Sequence, residues 1–301
     1  MASKVFEQPE LPVTLIDMLD NVSIFQTAAF TEASLKNLAV DTKLSTSYGD
    51  FNLGLHVKDD PTSVLANRMQ LLAAINQTLS EHNKPLINRL FWLNQVHGNQ
   101  VFQAKNAQLG MTPPDCDAQI SDSAGVGLAI MTADCVPIVF YQPESNKIAA
   151  IHAGWQGLAC GVIQQTVKQL DDAPIIAWIG VAISQDNYEV SSDVLAKLKS
   201  ACQNERLLSD DNLANFDERY SKKTSVKKTS AKKINANKVN INLPKLAFDQ
   251  LTALGVRVQS AASDCSYGDA QFYSYRRQSH QNQIATGRMA LVIVRHDDGR
   301  D

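Results

Sequence analysis

Apolar residues follow two different rhythms along the chain. After Asp60 they recur every three or four positions, which predicts an amphipathic helix with Thr62 or Ser63 as its N-cap. From Leu90 onward they form short continuous runs typical of buried strands, at residues 91–93, 126–132, 137–141 and 147–152. The polar residues 142–146, between the last two runs, predict a hairpin turn.

The second half of the chain alternates between the same two patterns. A helix is predicted after residues 154–157, since five apolar residues share one face before Asp171 and Pro174 end it: Leu158, Val162, Ile163, Val167 and Leu170. A strand at 175–180, a helix capped by Ser191 or Ser192 and running through Leu198, a helix around 246–254 and a strand at 289–294 follow. This mixture favours an α/β or α+β domain.

Composition narrows the class of partner. The 301 residues are 44% hydrophobic, enough for one large domain or two ordinary ones. A net charge of −3 gives no sign of a nucleic-acid or membrane partner, so a small-molecule substrate is expected. No apolar run reaches the roughly 18 residues of a membrane span, and the N-terminus lacks a secretory pattern. We therefore expect a cytoplasmic protein.

The cysteines and one lysine-rich segment refine this picture. Five cysteines, widely spaced and without a CxxC pair, predict free thiols rather than a disulfide framework or a zinc ribbon. Residues 221–238 repeat paired lysines every five residues among Ser, Thr, Ala and Asn. We interpret this segment as a solvated mobile loop, with a docking site for an anionic partner as the alternative.

Three residues stand out as candidate metal ligands. His97 and His152 follow strand-like segments, and Cys135 lies between two apolar strands, at positions where sites are commonly built. One thiolate and two imidazoles suit Zn²⁺ and leave a fourth position open for water or substrate. Such an open site is typical of catalysis, where zinc lowers the pKa of a bound water to about 7. The alternative is a buried core cysteine with two structural histidines.

Aspartates between the ligands in sequence, and arginines near the C-terminus, extend the candidate site. Asp115, Asp117 or Asp134 could orient a histidine or act as a general base, and strand-end capping is the alternative for each. Near the C-terminus, three guanidinium groups suited to phosphate or carboxylate lie close in sequence: Arg276, Arg277 and Arg288. Structural salt bridges are the alternative role for these arginines.

Five motifs together carry a family resemblance. They are Gln95-Val96-His97-Gly98, Thr132-Ala133-Asp134-Cys135-Val136-Pro137, His152-Ala153-Gly154-Trp155, Ser274-Tyr275-Arg276-Arg277 and Thr286-Gly287-Arg288-Met289. In this order they resemble the YfiH/laccase-domain family, also called the polyphenol oxidase or purine nucleoside phosphorylase family (DUF152). The similarity extends over residues 52–294. It implies one α/β domain over residues 1–301, with layered mixed β-sheets flanked by helices, a divergent segment at 1–40 and an inserted loop at 221–238.

The resemblance also implies a chemistry. The family's metal ligands correspond to His97, Cys135 and His152, with Zn²⁺ as the expected ion and Cu²⁺ as the alternative. Cys135, His152 and Asp134 become the candidate catalytic residues. Purine nucleosides and phosphate become the expected small-molecule partners, through phosphorolysis of nucleosides that include methylthioadenosine and through adenosine deamination. Five residues are the candidate substrate and phosphate ligands: Lys43, Asn52, Arg276, Arg277 and Arg288.

This chain departs from the family pattern at three places. Gln156 replaces the arginine that usually follows the tryptophan, and Thr42-Lys43 replaces an N-terminal Thr-Arg followed by paired glycines. The usual Gly-Pro-Ala-Ile-Gly-Pro loop is here residues 180–185, Gly-Val-Ala-Ile-Ser-Gln. Because glutamine cannot replace an arginine's charge, phosphorolysis is expected to be slower or altered in specificity.

Three alternative functions remain open at this stage. A multicopper laccase acting on phenols needs many histidines, and the six here are scattered without a His-x-His pair. A cysteine hydrolase acting on cell-wall precursors would use Cys135 and His152 as nucleophile and base without a metal. An impaired nucleoside-binding protein would follow from the replaced arginines. The oligomeric state is not predicted.

Overall fold

The computed structural model describes residues 11–38, 48–104, 112–223 and 237–296. One mixed sheet of five strands has the spatial order β1-β2-β14-β6-β3. Its members are β1 (Val13–Met18), β2 (Val22–Thr27), β3 (Arg89–Phe91), β6 (Val126–Thr132) and β14 (Met289–Arg295). Strand β3 runs parallel to β6, and the other neighbours are antiparallel. Both chain ends of the described region therefore meet in one sheet.

A second mixed sheet of six strands has the order β13-β9-β7-β8-β5-β4. Its members are β4 (Val101–Gln103), β5 (Ala118–Ser121), β7 (Val136–Gln142), β8 (Lys147–Ala153), β9 (Ile176–Ile179) and β13 (Arg257–Ala261). The antiparallel pairing of β7 with β8, from Val136 opposite Ala153 to Gln142 opposite Lys147, confirms the predicted hairpin. A small antiparallel sheet has the order β10-β12-β11, with β10 (Glu189–Ser191), β11 (Ser221–Lys223) and β12 (Lys238–Ile241).

Nine α-helices lie in the described ranges. They are α1 (Glu32–Leu38), α2 (Pro61–Glu81), α3 (Trp155–Ala159), α4 (Val162–Val167), α5 (Ser192–Asn204), α6 (Asp210–Ala214), α7 (Phe216–Tyr220), α8 (Leu243–Ala253) and α9 (Tyr275–His280). The cap of α2 is Asp60, whose carboxylate accepts from the backbone N–H groups of Thr62 and Ser63. No helix in these ranges is long and apolar enough to cross a membrane.

The side chains of β6 show how the layers are built. Leu128 and Ile130 point into a core shared with the six-stranded sheet, whereas Ala129 and Met131 face a second core that includes α2. The outer face of the six-stranded sheet packs on α3, α4, α5 and α8. This helix–sheet–sheet–helix order confirms the expected fold class. The single domain over residues 1–301 stays a prediction.

Several predicted boundaries change in the structure. The helix expected after residue 157 is two short helices, because Gly161 adopts a left-handed φ of 74° between them. The helix capped by Ser191 continues to Asn204, beyond Leu198. Residues 13–27, within the segment interpreted as divergent, form two strands of the main sheet.

The described ends of the lysine-rich segment, residues 221–223 and 238, differ from the loop interpretation. Ser221–Lys223 and the first residue of Lys238–Ile241 are strand residues that pair in the small sheet, so the loop prediction was wrong there. The rest of the lysine repeat, residues 224–236, lies outside the described residues. Its proposed solvated character stays a prediction.

Candidate metal centre and substrate cavity

The two main sheets bring the three predicted ligands together. The ligand atoms of His97, Cys135 and His152 all lie within 4.8 Å of one another, and no other such group of His, Cys, Asp or Glu occurs in the described ranges. Cys135 Sγ lies 3.8 Å from His97 Nε2. In a tetrahedral zinc site with Zn–N of about 2.05 Å and Zn–S of about 2.3 Å, these two atoms would be about 3.6 Å apart. The donor set and its spacing therefore fit a divalent metal.

A buried carboxylate organises this cluster. Asp117, fully buried at the start of the β5 segment, accepts a 2.8 Å hydrogen bond from His152 Nδ1, so Nε2 of His152 is left for a metal. It also accepts the backbone N–H groups of Val96, His97 and Gly98 at 3.2, 2.9 and 2.6 Å. These bonds hold His97 at a left-handed φ of 63°. Of the three aspartates considered from sequence, Asp117 is the one that orients a histidine.

A glycine makes room for the cluster. Gly154 follows β8, and a Cβ atom added there would lie 3.0 Å from both Cys135 Sγ and His97 Cδ2. The His-Ala-Gly-Trp motif therefore supplies one ligand, His152. Two residues later, its glycine leaves the space that Cys135 and His97 occupy.

Electrostatics prepare the thiol for metal binding. Burial alone would raise the pKa of Cys135, but the charge of His152 and hydrogen bonds from both histidines lower it below its ordinary value. Burial likewise would lower the pKa of His152, and the Cys135 thiolate with Asp117 raises it instead. A thiolate is the form that binds zinc, and a metal would displace the proton from His152. The same ion pair would also suit a nucleophile and its base.

The cluster forms one wall of a cavity of about 350 Å³. Residues 131–134 also line it, and the other lining groups are aromatic or cationic side chains from other parts of the chain: His56, Trp155, Tyr188, Tyr275, Arg276 and Arg288. Gln95 also borders the cavity and exchanges two hydrogen bonds with the backbone of Met131. The cavity thus combines a candidate metal centre, flat apolar surfaces and two guanidinium groups. This combination suits either an aromatic anion or an aromatic substrate that reacts with phosphate.

The two guanidinium groups are held differently. Arg276 Nη1 donates to the carbonyl oxygen of Glu189 at 2.5 Å, and its guanidinium carbon lies 5.1 Å from the ring centre of Tyr188. Arg288 Nη1 donates to the carbonyls of Thr286 and Gly287. Burial lowers the pKa of Arg288 from its ordinary value, with Cys135 and Asp134 opposing that shift, and the group stays charged at neutral pH.

Two of the other predicted substrate ligands lie outside the cavity lining. Asn52 is buried, and its Oδ1 accepts from the N–H groups of Gly54 and Arg288. The guanidinium of Arg277 donates to the carbonyls of four loop residues: Ser266, Tyr267, Asp269 and Phe272. Asn52 therefore holds the backbone of Arg288, which borders the cavity, whereas Arg277 stabilises a loop that does not line it. Lys43 lies outside the described residues, and Gln156 is exposed and absent from the lining.

The structure adds His56, a residue to which the sequence assigned no role. It lies on a short 3₁₀ helix, Leu55–Val57, and borders the cavity beside Arg288. Burial, and then the charges of Arg288 and Arg68, lower its pKa to about 4. His56 is therefore a neutral imidazole at neutral pH, able to donate and accept one hydrogen bond. Its sequence neighbourhood carries no motif that distinguishes it from a surface histidine.

Comparisons with known proteins agree with this arrangement. A family model described as multi-copper polyphenol oxidoreductase laccase matches residues 40–296. A Shigella flexneri protein named purine nucleoside phosphorylase YfiH is 32% identical over 251 residues, covering 82% of this chain and 86% of the relative. A Pseudomonas aeruginosa protein named purine nucleoside phosphorylase is 32% identical over 255 residues, covering 83% and 88%. The similarity thus spans most of each chain.

Solved structures share the same architecture. A Neisseria meningitidis protein of family DUF152 superposes with a TM-score of 0.69 at 29% identity, covering 95% of this chain and all of that one. YlmD from Geobacillus stearothermophilus superposes with a TM-score of 0.67 at 25% identity, covering 92% and 93%.

Proposed function

The chain belongs to the YfiH/laccase-domain family, and we propose that it is a metal-dependent purine nucleoside phosphorylase that also deaminates adenosine. The observation that carries this proposal is the convergence of His97, Cys135 and His152 on one wall of a cavity that also contains two arginines. The names of the relatives supply the substrate class. Adenosine deamination and the use of methylthioadenosine as a further substrate are proposed from the family resemblance alone.

We assign the metal to Nε2 of His97, Sγ of Cys135 and Nε2 of His152. Zn²⁺ is the proposed ion because three ligands of this type with an open fourth position are typical of catalytic zinc, and Cu²⁺ would also bind such a set. When bound, the ion supplies Lewis-acid activation of a water or a substrate atom. Asp117 keeps His152 in the tautomer that ligation needs.

The remaining cavity residues bind and orient the two substrates. Arg276 and Arg288 present the charges that would hold phosphate against the ribose, where its oxygen displaces the purine base. Trp155, Tyr188 and Tyr275 offer ring faces to the purine. Since these groups line one cavity, the nucleoside and phosphate would meet there without a large rearrangement of the protein.

The proposal is tested with metal-defined protein and adenosine, assayed with and without phosphate. Phosphorolysis yields adenine and ribose 1-phosphate only when phosphate is present, whereas deamination yields inosine in both conditions. We expect all three products with phosphate. Inosine alone would retain deamination and exclude phosphorolysis, and no product in either condition would favour a nucleoside-binding protein.

Two competing functions make different demands on the same residues. All six histidines are described, and within the described ranges one His/Cys/His group meets the geometry of a metal site, which supports a mononuclear centre over several copper centres. A cysteine hydrolase would use the Cys135–His152 ion pair without metal. Activity that survives complete chelation would therefore favour the hydrolase.

The assignment of Arg288 to phosphate binding predicts a selective rise in the KM for phosphate. Replacing Arg288 with glutamine removes a charge from the cavity, and we expect the KM for phosphate to rise about tenfold to a hundredfold, with a smaller change in the KM for adenosine. Steady-state kinetics with each substrate varied in turn measures both constants. Arg257→Gln, on the exposed edge strand β13, is the matched control. Equal effects on the two KM values would contradict a phosphate role.

A further inference from the structure

Asp134, in the connection between β6 and β7 that also carries Cys135, contacts the helix that carries a cavity arginine. Its Oδ2 accepts the backbone N–H of Arg276 at 2.7 Å, and its Oδ1 accepts the hydroxyl of Ser266 at 2.7 Å. The Ser274 hydroxyl also hydrogen-bonds to this carboxylate. Helix α9 begins at Tyr275, so the carboxylate holds the first turn of that helix directly beside Cys135.

The surroundings of Asp134 leave little freedom for other chemistry. The residue borders the cavity but is only 8% exposed, and its oxygens are engaged by a backbone N–H group and two hydroxyl groups. Its φ of 111° is unusual for a residue with a Cβ atom, so the backbone is strained where the side chain reaches α9. An ionised carboxylate only accepts hydrogen bonds, which matches the three donors around it.

Arg276 is held at both ends. Asp134 fixes its backbone, and the Glu189 carbonyl with the Tyr188 ring fixes its guanidinium. The neighbouring Tyr275, which borders the cavity, donates its backbone N–H to the carbonyl of Ala133. Any shift of the first turn of α9 relative to β7 would therefore move two cavity side chains relative to the metal ligands.

We propose that Asp134 is a positioning residue, which fixes the places of Arg276 and Tyr275 relative to Cys135. It would not be the general base that its place in the motif suggests. This inference rests on the proposed function only where it concerns phosphate. The structural link between Asp134 and α9 is testable without any assay of activity.

The first test measures amide hydrogen exchange and metal content in Asp134→Asn. An asparagine side chain would present N–H groups to at least one of the donors around it, so α9 should lose its anchor. We expect exchange in Tyr275–His280 to accelerate about tenfold while α2 is unchanged and the metal is retained. The matched control is Asp264→Asn, an exposed carboxylate in the loop before α9. Unchanged exchange in α9, or loss of the metal, would overturn the proposal.

The second test asks whether Asp134 acts through Arg276. In a double-mutant cycle on the KM for phosphate, Asp134→Asn should raise KM, and should add little once Arg276→Gln is present. Additive effects, or loss of the acidic limb of the pH profile of kcat with KM unchanged, would identify a general base and overturn the proposal. If the protein shows no phosphorolysis, the proposed function fails while the exchange experiment still decides the role of Asp134.

A milder variant covers the case in which Asp134→Asn does not fold. Ser266→Ala removes one donor and leaves the carboxylate in place, so α9 exchange should accelerate by a smaller factor, about threefold. The same measurement in Ser266→Ala overturns the proposal if exchange in α9 equals that of the unmodified protein.

Discussion

Replacing Cys135 with alanine is expected to remove both the bound metal and the turnover of adenosine. The thiolate is one of three ligands, and His97 and His152 alone would leave two open positions on the ion. We expect turnover to fall at least about 10³-fold, the scale of losing a central catalytic group. Metal analysis of the purified variant and product analysis by chromatography measure the two effects.

Two further variants separate a metal role from a nucleophilic one. Cys135→Asp keeps a side chain that can bind zinc but removes the thiol, so partial metal content with measurable turnover would support ligation. Cys116→Ala changes another half-buried thiol, one that packs beside the inter-sheet core, and should leave both readouts intact. Full activity in Cys135→Ala would refute the assignment of this centre.

Replacing Asp117 with asparagine is expected to weaken metal binding about tenfold to a hundredfold, although the residue touches no metal. The carboxylate receives four N–H groups, three from the turn around His97 and one from the ring of His152. An amide offers one acceptor oxygen and sets an N–H group against the remaining donors. The turn should loosen and the ring should lose its preferred tautomer.

Competition against a chromophoric chelator measures this affinity, and thermal unfolding of the metal-free protein measures the accompanying loss of stability, about 1–3 kcal/mol. Asp115→Asn is the matched control, because Asp115 is exposed and its carboxylate accepts a hydrogen bond from Asn94 Nδ2 rather than from the turn around His97. If the affinities of the two variants were equal, the turn would not depend on Asp117.

The buried hairpin was the part of the fold that the sequence predicted best. Strands β7 and β8 are apolar on both faces because each face packs on a core, so their continuous apolar runs identify them. Strand β2 is equally buried, yet it contains Ser23, Gln26 and Thr27. Gln26 is satisfied by backbone groups of β14 and of the loop after β9, contacts that no local pattern reveals.

The candidate site likewise has one part that the sequence predicted and another that only the structure reveals. The three ligands lie in motifs that resemble a family, so their convergence was expected from sequence and is seen in the structure. Choosing Asp117 over Asp115 and Asp134 required geometry, since Asp134 directly precedes a ligand in sequence and Asp117 does not. Tyr188 and His56 enter the cavity from segments outside the five motifs, through the packing of the small sheet and of the 3₁₀ helix.

The position of β14 has a consequence for biosynthesis. This strand lies between β2 and β6, so the main five-stranded sheet has a gap at its centre until residues 289–295 have left the ribosome. Arg288 directly precedes β14 and reaches the cavity at the same time. A nascent chain that ends before β14 would expose two unpaired strand edges and lack Arg288 in the cavity, so this sheet should complete its folding only after β14 has emerged.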